Sequence, residues 1–382
     1  MGRIMQAENL ASRRRQSALA VICREWLLPI SVGTSFAFFR WGAAIFASLD
    51  GPAGRALVFL WLFGVVLASA LTVVRHAEAL AERLGEPYGT LILTLSVTFI
   101  EVMSISAVML HGENNPTLVR DTLFAVVMII LNGMVGLSLL VGAWRHREQT
   151  YNLQGANAYL GAVVPLVVFS LVLPTFTITT KGPTLSNAQQ AFVVLTSIGL
   201  YAVFLAMQAG RHRGYFTHEV EVGEEMALGA EPAPIVWPAI LLAAYMAPVV
   251  FLAEQLAKPI DYVIETLQVP TALGGIVMAV LVAAPEAVGA VRAAAANHLQ
   301  RSVNIFLGSV LSTIGLTVPA MIMMSHLTGR PFILGVEGAD LVLLLLTLAV
   351  SFLTFSNGRT NVIQGAVHLI LFGGYLLLIY QD

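Results

Sequence analysis

The 382-residue chain is 57% hydrophobic and only 11% charged, with a formal net charge of −2. A soluble domain carries about 25% Asp, Glu, Lys and Arg; these charges are too few to coat a water-soluble globule of this size and offer no basic face to nucleic acid. The single cysteine, Cys23, excludes an intramolecular disulfide and a multi-thiol metal site, and leaves the compartment open.

Residues 1–25 read as a retained cytoplasmic tail, polar and with an Arg13-Arg14-Arg15 run of the kind that anchors topology. Eleven apolar runs of span length follow, at roughly 26–48, 56–76, 88–110, 119–143, 156–177, 189–209, 234–254, 270–291, 303–326, 339–355 and 361–380. The runs are continuously apolar rather than alternating, so they predict helices and not a barrel. The expected fold is an all-α polytopic membrane protein with the lipid bilayer as its surroundings.

The third run buries Glu101 in Leu93 to Ser104 with no basic neighbour in sequence. An ionisable residue at that depth points to function, because an unpaired carboxylate in hydrocarbon is costly. Thr94, Thr98 and Glu101 recur at helical spacing and share one face. Whether the threonine hydroxyls act as ligands or bond back to their own helix stays open. Asn132 in the fourth run is a neutral oxygen donor beside Gly133, where interhelical packing is the competing reading.

Between the sixth and seventh runs lies an acidic linker, 211–233, with Glu219, Glu221, Glu224, Glu225 and Glu231. It lacks the spacing of a calcium-binding loop and reads as a solvated connection. The linker separates a first set of five spans, 56–210, from a second, 234–380, with 26–48 as an extra first helix. Because five is odd, the two sets enter the membrane from opposite sides, the inverted-repeat plan of secondary transporters. Charge agrees with this parity: 14 of the 20 Lys and Arg fall on the side of the N-terminus, and Arg40, Arg55, Arg120, Lys181, Lys258 and Arg330 make up the rest. That bias puts the N-terminus in the cytoplasm and the C-terminus opposite.

In the second set, Glu286 again lies deep in an apolar run, preceded by Pro285. Proline cannot donate to the carbonyl four residues back, so the Leu281 oxygen is freed and a break or kink is expected beside the carboxylate. Ser309, Ser312 and Thr313 are further oxygen donors in the next run. Glu78, Glu82 and Glu254 lie near span ends and form a second tier of acidic candidates. Two buried carboxylates tolerate full charge only beside a cation, so protons and cations compete for them, which is a physical basis for antiport. No cofactor motif appears, and no Ser/Lys, paired-Asp or zinc-ligand constellation suggests an enzyme.

Several segments together resemble the calcium/cation antiporter superfamily, and within it the bacterial ChaA-type antiporters. They are Tyr88 to Val97 leading to Glu101, Ala284-Pro285-Glu286, Gln300-Arg301 through Asn304, Gly308 to Ile314 with Leu316 to Pro319, and Phe355 to Val362. The resemblance implies export of calcium ions for protons across the bacterial inner membrane, with sodium and potassium as further substrates and Glu101 and Glu286 as shared cation and proton sites. A sodium/proton or potassium/proton antiporter is the alternative, and a cation channel the reading from outside the class. One departure matters. The superfamily's calcium exchangers carry Gly-Asn-Ala-x-Glu around each acidic residue, whereas here the matching positions read Val97 to Glu101 and Val282 to Glu286, without asparagine. A homo-oligomer is left open.

Overall fold

The computed structural model describes residues 25–49, 51–85, 88–111, 116–216, 235–267, 270 and 272–379. Most of the expected tail, including Arg13 to Arg15, and residues 217–233 of the expected linker, with its five glutamates, lie outside the described residues. Eleven apolar helices follow one another: α1 Leu27–Ala47, α2 Pro52–Leu84, α3 Tyr88–His111, α4 Leu118–His146, α5 Leu153–Phe176, α6 Asn187–Ala209, α7 Val236–Leu267, α8 Ala272–Ala295, α9 Leu299–Thr328, α10 Gly338–Thr354 and α11 Val362–Leu378. The first nine are long and apolar enough to cross a membrane, and α10 and α11 are shorter apolar helices of 17 residues. The chain is a multi-pass helical membrane protein.

Two helices outrun their apolar cores. Helix α2 continues past Arg75 through Ala77 to Leu84 because Ala, Glu, Arg and Leu sustain a helix after hydropathy has fallen. Helix α7 likewise runs on to Leu267 through Pro248 and Pro259. Helices α4, α5 and α9 each contain a π-helical turn, at Ile129–Met134, Val168–Val172 and Thr313–Thr317. Among the described residues the one departure from helix is a two-residue antiparallel pairing of β1 (Gln149–Thr150) with β2 (Arg359–Thr360), which ties together the loops after α4 and α10.

Helices α2–α6 and α7–α11 make two five-helix sets with matching contacts. Helix α3 packs on α9 as α8 packs on α4; α6 on α9 as α11 on α4; α5 on α9 as α10 on α4; and α2 on α8 as α7 on α3. This correspondence is that of two repeats about a pseudo-twofold axis. Helices α2 and α7 pair extensively with one another, and α1 packs against both. A buried cluster pins α1 there: Arg75 Nη2 donates to both carboxylate oxygens of Glu25 at 2.7 and 2.8 Å, Tyr245 donates to Glu25 Oε2 at 3.0 Å, and His76 Nε2 lies 3.3 Å from the same oxygen. Glu25, the last residue of the expected tail, is thus buried at the start of the bundle.

The apolar interior divides in two. One cluster joins α1, α2 and α7 through residues such as Leu62, Val66, Tyr245 and Leu252; the larger one fills the space among α4, α5, α6, α9, α10 and α11. Helices α3 and α8 lie on the seam, Ile100 and Leu281 facing the first cluster while Ile105 and Met278 face the second.

Close helix approach depends on glycine where α4 crosses α11. A Cβ on Gly365 would stand 2.7 Å from the Leu140 backbone nitrogen and 3.0 Å from the Gly136 carbonyl oxygen. Gly365→Leu should therefore force the helices apart and cost about 1–3 kcal/mol, read as a lower unfolding midpoint in detergent. Gly161→Ala, where nothing lies within 4 Å, should leave the midpoint unchanged or slightly raised.

Candidate functional site

Both intramembrane glutamates sit on the seam helices, and both meet α9. Glu101, 1% exposed, accepts a hydrogen bond on Oε2 from the Thr313 hydroxyl at 3.0 Å. Glu286, half-buried, accepts one from the Ser309 hydroxyl. Ser309 and Thr313 are one helical turn apart, so a single face of α9 bridges the two carboxylates.

Glu101 is incompletely satisfied. Its Oε1 has no hydrogen-bond partner, and neither does the buried Thr98 hydroxyl on the same face of α3, while the Thr317 hydroxyl, a turn beyond Thr313 on α9, is directed at the same carboxylate. Buried polar atoms normally find partners, so the unmatched carboxylate oxygen and the Thr98 hydroxyl are oxygens that could hold a cation. The π-helical turn at Thr313–Thr317 widens α9 at the residues that approach Glu101, as such turns often do at functional sites.

Glu286 has a different setting. It lines a cavity of about 270 Å³ with Thr94 and Val97 of α3, Ser309 and Ser312 of α9, and Glu78 of α2. Ser312 also donates to the Ser309 carbonyl at 2.9 Å. Arg213, Phe216 and Arg301 belong to the same wall, so the cavity runs toward the membrane face that carries the α6–α7 and α8–α9 connections. Toward the other face, the described residues hold α3 and α8 close to their neighbours. Gly275 of α8 is held so tightly to α4 that a Cβ there would be 2.7 Å from the Asp121 carbonyl carbon, and Arg330 donates to the Met109 carbonyl of α3 at 2.7 Å.

The remaining expected residues are scattered. Asn132 sits in the π-helical turn of α4, but its amide donates to Thr347 at 2.8 Å and its Oδ1 lies 3.3 Å from His368 Nδ1, facing α10 and α11 instead of either glutamate. Helix α8 is continuous from Ala272 to Ala295, so Pro285 does not break it as expected; neighbouring turns and packing carry the helix through the one missing N–H. The Leu281 side chain belongs to the α1, α2 and α7 cluster. Glu82 is exposed, and Glu254 accepts from its neighbour Gln255 at 3.4 Å. Among the described residues no group of three His, Cys, Asp or Glu is placed to hold a metal ion. The sequence reading missed Thr317 and the arginines of the cavity wall. Thr313 and Thr317, four apart, carried a legible helical signal; the arginines looked like ordinary topology anchors.

The profile of the family described as sodium/calcium exchanger protein matches residues 55–210 and 237–381. The chain is 37% identical over 369 residues to the sodium-potassium/proton antiporter ChaA of Escherichia coli (strain K12), covering 96% of this chain and 99% of that protein. It is 25% identical to a Ca(2+)/H(+) antiporter of Synechocystis sp., over 83% of this chain and 88% of that one. Among solved structures, native YfkE superposes with a TM-score of 0.69 at 22% identity, covering 93% of this chain and all of that one. By these matches the chain belongs to the sodium/calcium exchanger family.

Proposed function

We propose that this protein is a secondary active antiporter that exchanges sodium and potassium ions for protons across a bacterial inner membrane, with Glu101 and Glu286 as the shared cation and proton sites. One observation carries the reading: two carboxylates lie on opposed repeats, bridged by consecutive hydroxyls of α9, one reached from a cavity and the other buried with free oxygens around it. A cation arriving at Glu286 displaces its proton, and the Ser309 and Thr313 hydroxyls carry the exchange through to Glu101. A tilt of α9 moves both hydroxyls together, so the two sites respond as a unit. The seam between the two packed bodies is where such a movement costs least, and opening at one face with closure at the other is what alternating access requires. The N-terminal, arginine-rich face is the cytoplasmic one under the positive-inside bias.

The monovalent preference draws on the donor set. Carboxylate and hydroxyl oxygens surround the glutamates, Asn132 is engaged elsewhere, and the relative of 37% identity is named for sodium, potassium and protons. Calcium, favoured from sequence because two carboxylates balance one divalent ion, stands as the second reading; the Synechocystis relative is named for it.

Everted membrane vesicles with an acidic interior and a pH-sensitive dye provide the test. Sodium and potassium should each release interior protons. Release by calcium alone would replace the monovalent reading with the second one, and no release by any of the three would overturn antiport. Glu101→Gln and Glu286→Gln should each abolish exchange while the protein still folds in the membrane; wild-type exchange in both variants would sink the site. Thr313→Val removes a hydrogen bond to a charged group and should raise the apparent KM about tenfold. Thr313→Ser, which keeps the hydroxyl, should stay within about twofold of wild type on the same reasoning.

A further inference from the structure

Among the described residues, two arginines stand at the mouth of a cavity that leads to a half-buried glutamate. The charged residues among its described walls are Glu286, deep inside, and Glu78, Arg213 and Arg301. Arg301 stands on the first turn of α9, exposed, and its charge acts on Glu78 of α2. Arg213 stands in a 3₁₀ turn, Arg213–Tyr215, that is fastened to α9: Asn304 donates to the Phe216 carbonyl at 2.6 Å, Gln300 donates to the Tyr215 carbonyl at 3.5 Å, and Gln300 donates to Asn304 Oδ1 at 2.9 Å. The fastening keeps both guanidiniums on one rim, opposite a single carboxylate.

We propose that Arg213 and Arg301 form an electrostatic filter that sets the valence preference of the protein, disfavouring divalent cations relative to monovalent ones before they reach Glu286. This rests on the antiport reading above and extends it from the site to the path. A rim of potential φ lowers the local concentration of an ion of charge z by a factor exponential in zφ. Whatever factor the rim imposes on sodium, it imposes the square of that factor on calcium. Guanidinium suits the task because it keeps its charge across the working pH range. An arginine that merely anchors topology would show no dependence on the valence of the transported ion.

The experiment measures proton release from everted vesicles driven by sodium and, separately, by calcium, the calcium constant being read from its inhibition of sodium-driven release where calcium alone drives none, at low ionic strength and again in concentrated choline chloride. In Arg301→Gln the apparent KM should fall about twofold for sodium and about fourfold for calcium, with the maximal rate unchanged, as expected for an exposed charge. Both shifts should vanish in high salt, where the Debye length contracts. Arg213→Gln should move the constants in the same sense, Glu78→Gln in the opposite sense, and Arg301→Lys should behave as wild type. Equal factors for the two ions, shifts that survive high salt, or unchanged constants in both neutral arginine variants would overturn the filter while leaving antiport intact. Wild-type vesicles that release no protons with either ion or with potassium would instead remove the antiport reading, and the filter with it.

Discussion

A carboxylate in the middle of an apolar bundle must be compensated, and the architecture can be followed outward from that requirement. Water cannot reach Glu101, so its partners must come from the protein or from a passing ion. The protein supplies one hydroxyl, Thr313, and leaves Oε1 without a partner. A site satisfied in full would hold its occupant or exclude it permanently. On the proposed reading, the unmatched oxygen lets a proton or a cation complete the site in turn, and the opposed Glu286, bonded to Ser309 one turn away on α9, ties the two occupancies together.

The same compensation shapes the ends of the seam helices. The last carbonyls of an α-helix lack intrahelical donors. At α8, Gln149 donates to the Ala294 carbonyl at 2.9 Å and His146 Nε2 lies 3.0 Å from the Ala295 carbonyl; at α3, Arg330 donates to the Met109 carbonyl. Each cap comes from the segment that follows the π-turned helix of the opposite repeat, α4 in one case and α9 in the other. The two acidic helices are therefore held at opposite membrane faces by equivalent devices, and the cavity beside Glu286 runs toward one of those faces. Near-symmetric parts in asymmetric positions are what a two-state transporter requires.

Other polar groups in the bundle are paired in networks that join helices. The Glu25, Arg75 and Tyr245 cluster closes on itself and docks α1 against α2 and α7. The chain from Thr354 through His368 and Asn132 to Thr347 likewise pairs donors with acceptors along its length. Fully paired networks rigidify the elements they join. Around Glu101, the Thr98 hydroxyl and one carboxylate oxygen remain without partners, as do hydroxyls elsewhere in the bundle such as Ser138 and Ser197, so it is the carboxylate among them that sets this place apart.

The sequence by itself determined the apolar helices and their order in two five-helix sets, and it singled out Glu101 and Glu286 as the carboxylates on which the proposed site rests. Hydropathy over a span is a local sum, and the cost of burying Glu101 or Glu286 is a property of one residue in its own segment, so neither depends on neighbours far along the chain. The ends of α2 and α7 escaped that reading because helix propensity and tertiary contact outlast the apolar run. Tertiary structure alone decided which donors serve the glutamates. Asn132 and Thr313 occupy comparable π-helical turns and were equally plausible from sequence, but one faces α10 and α11 while the other faces α3. It alone also brought Arg213 and Arg301, 88 positions apart, to one rim, because partner choice depends on how helices rotate against one another, and no single segment encodes that.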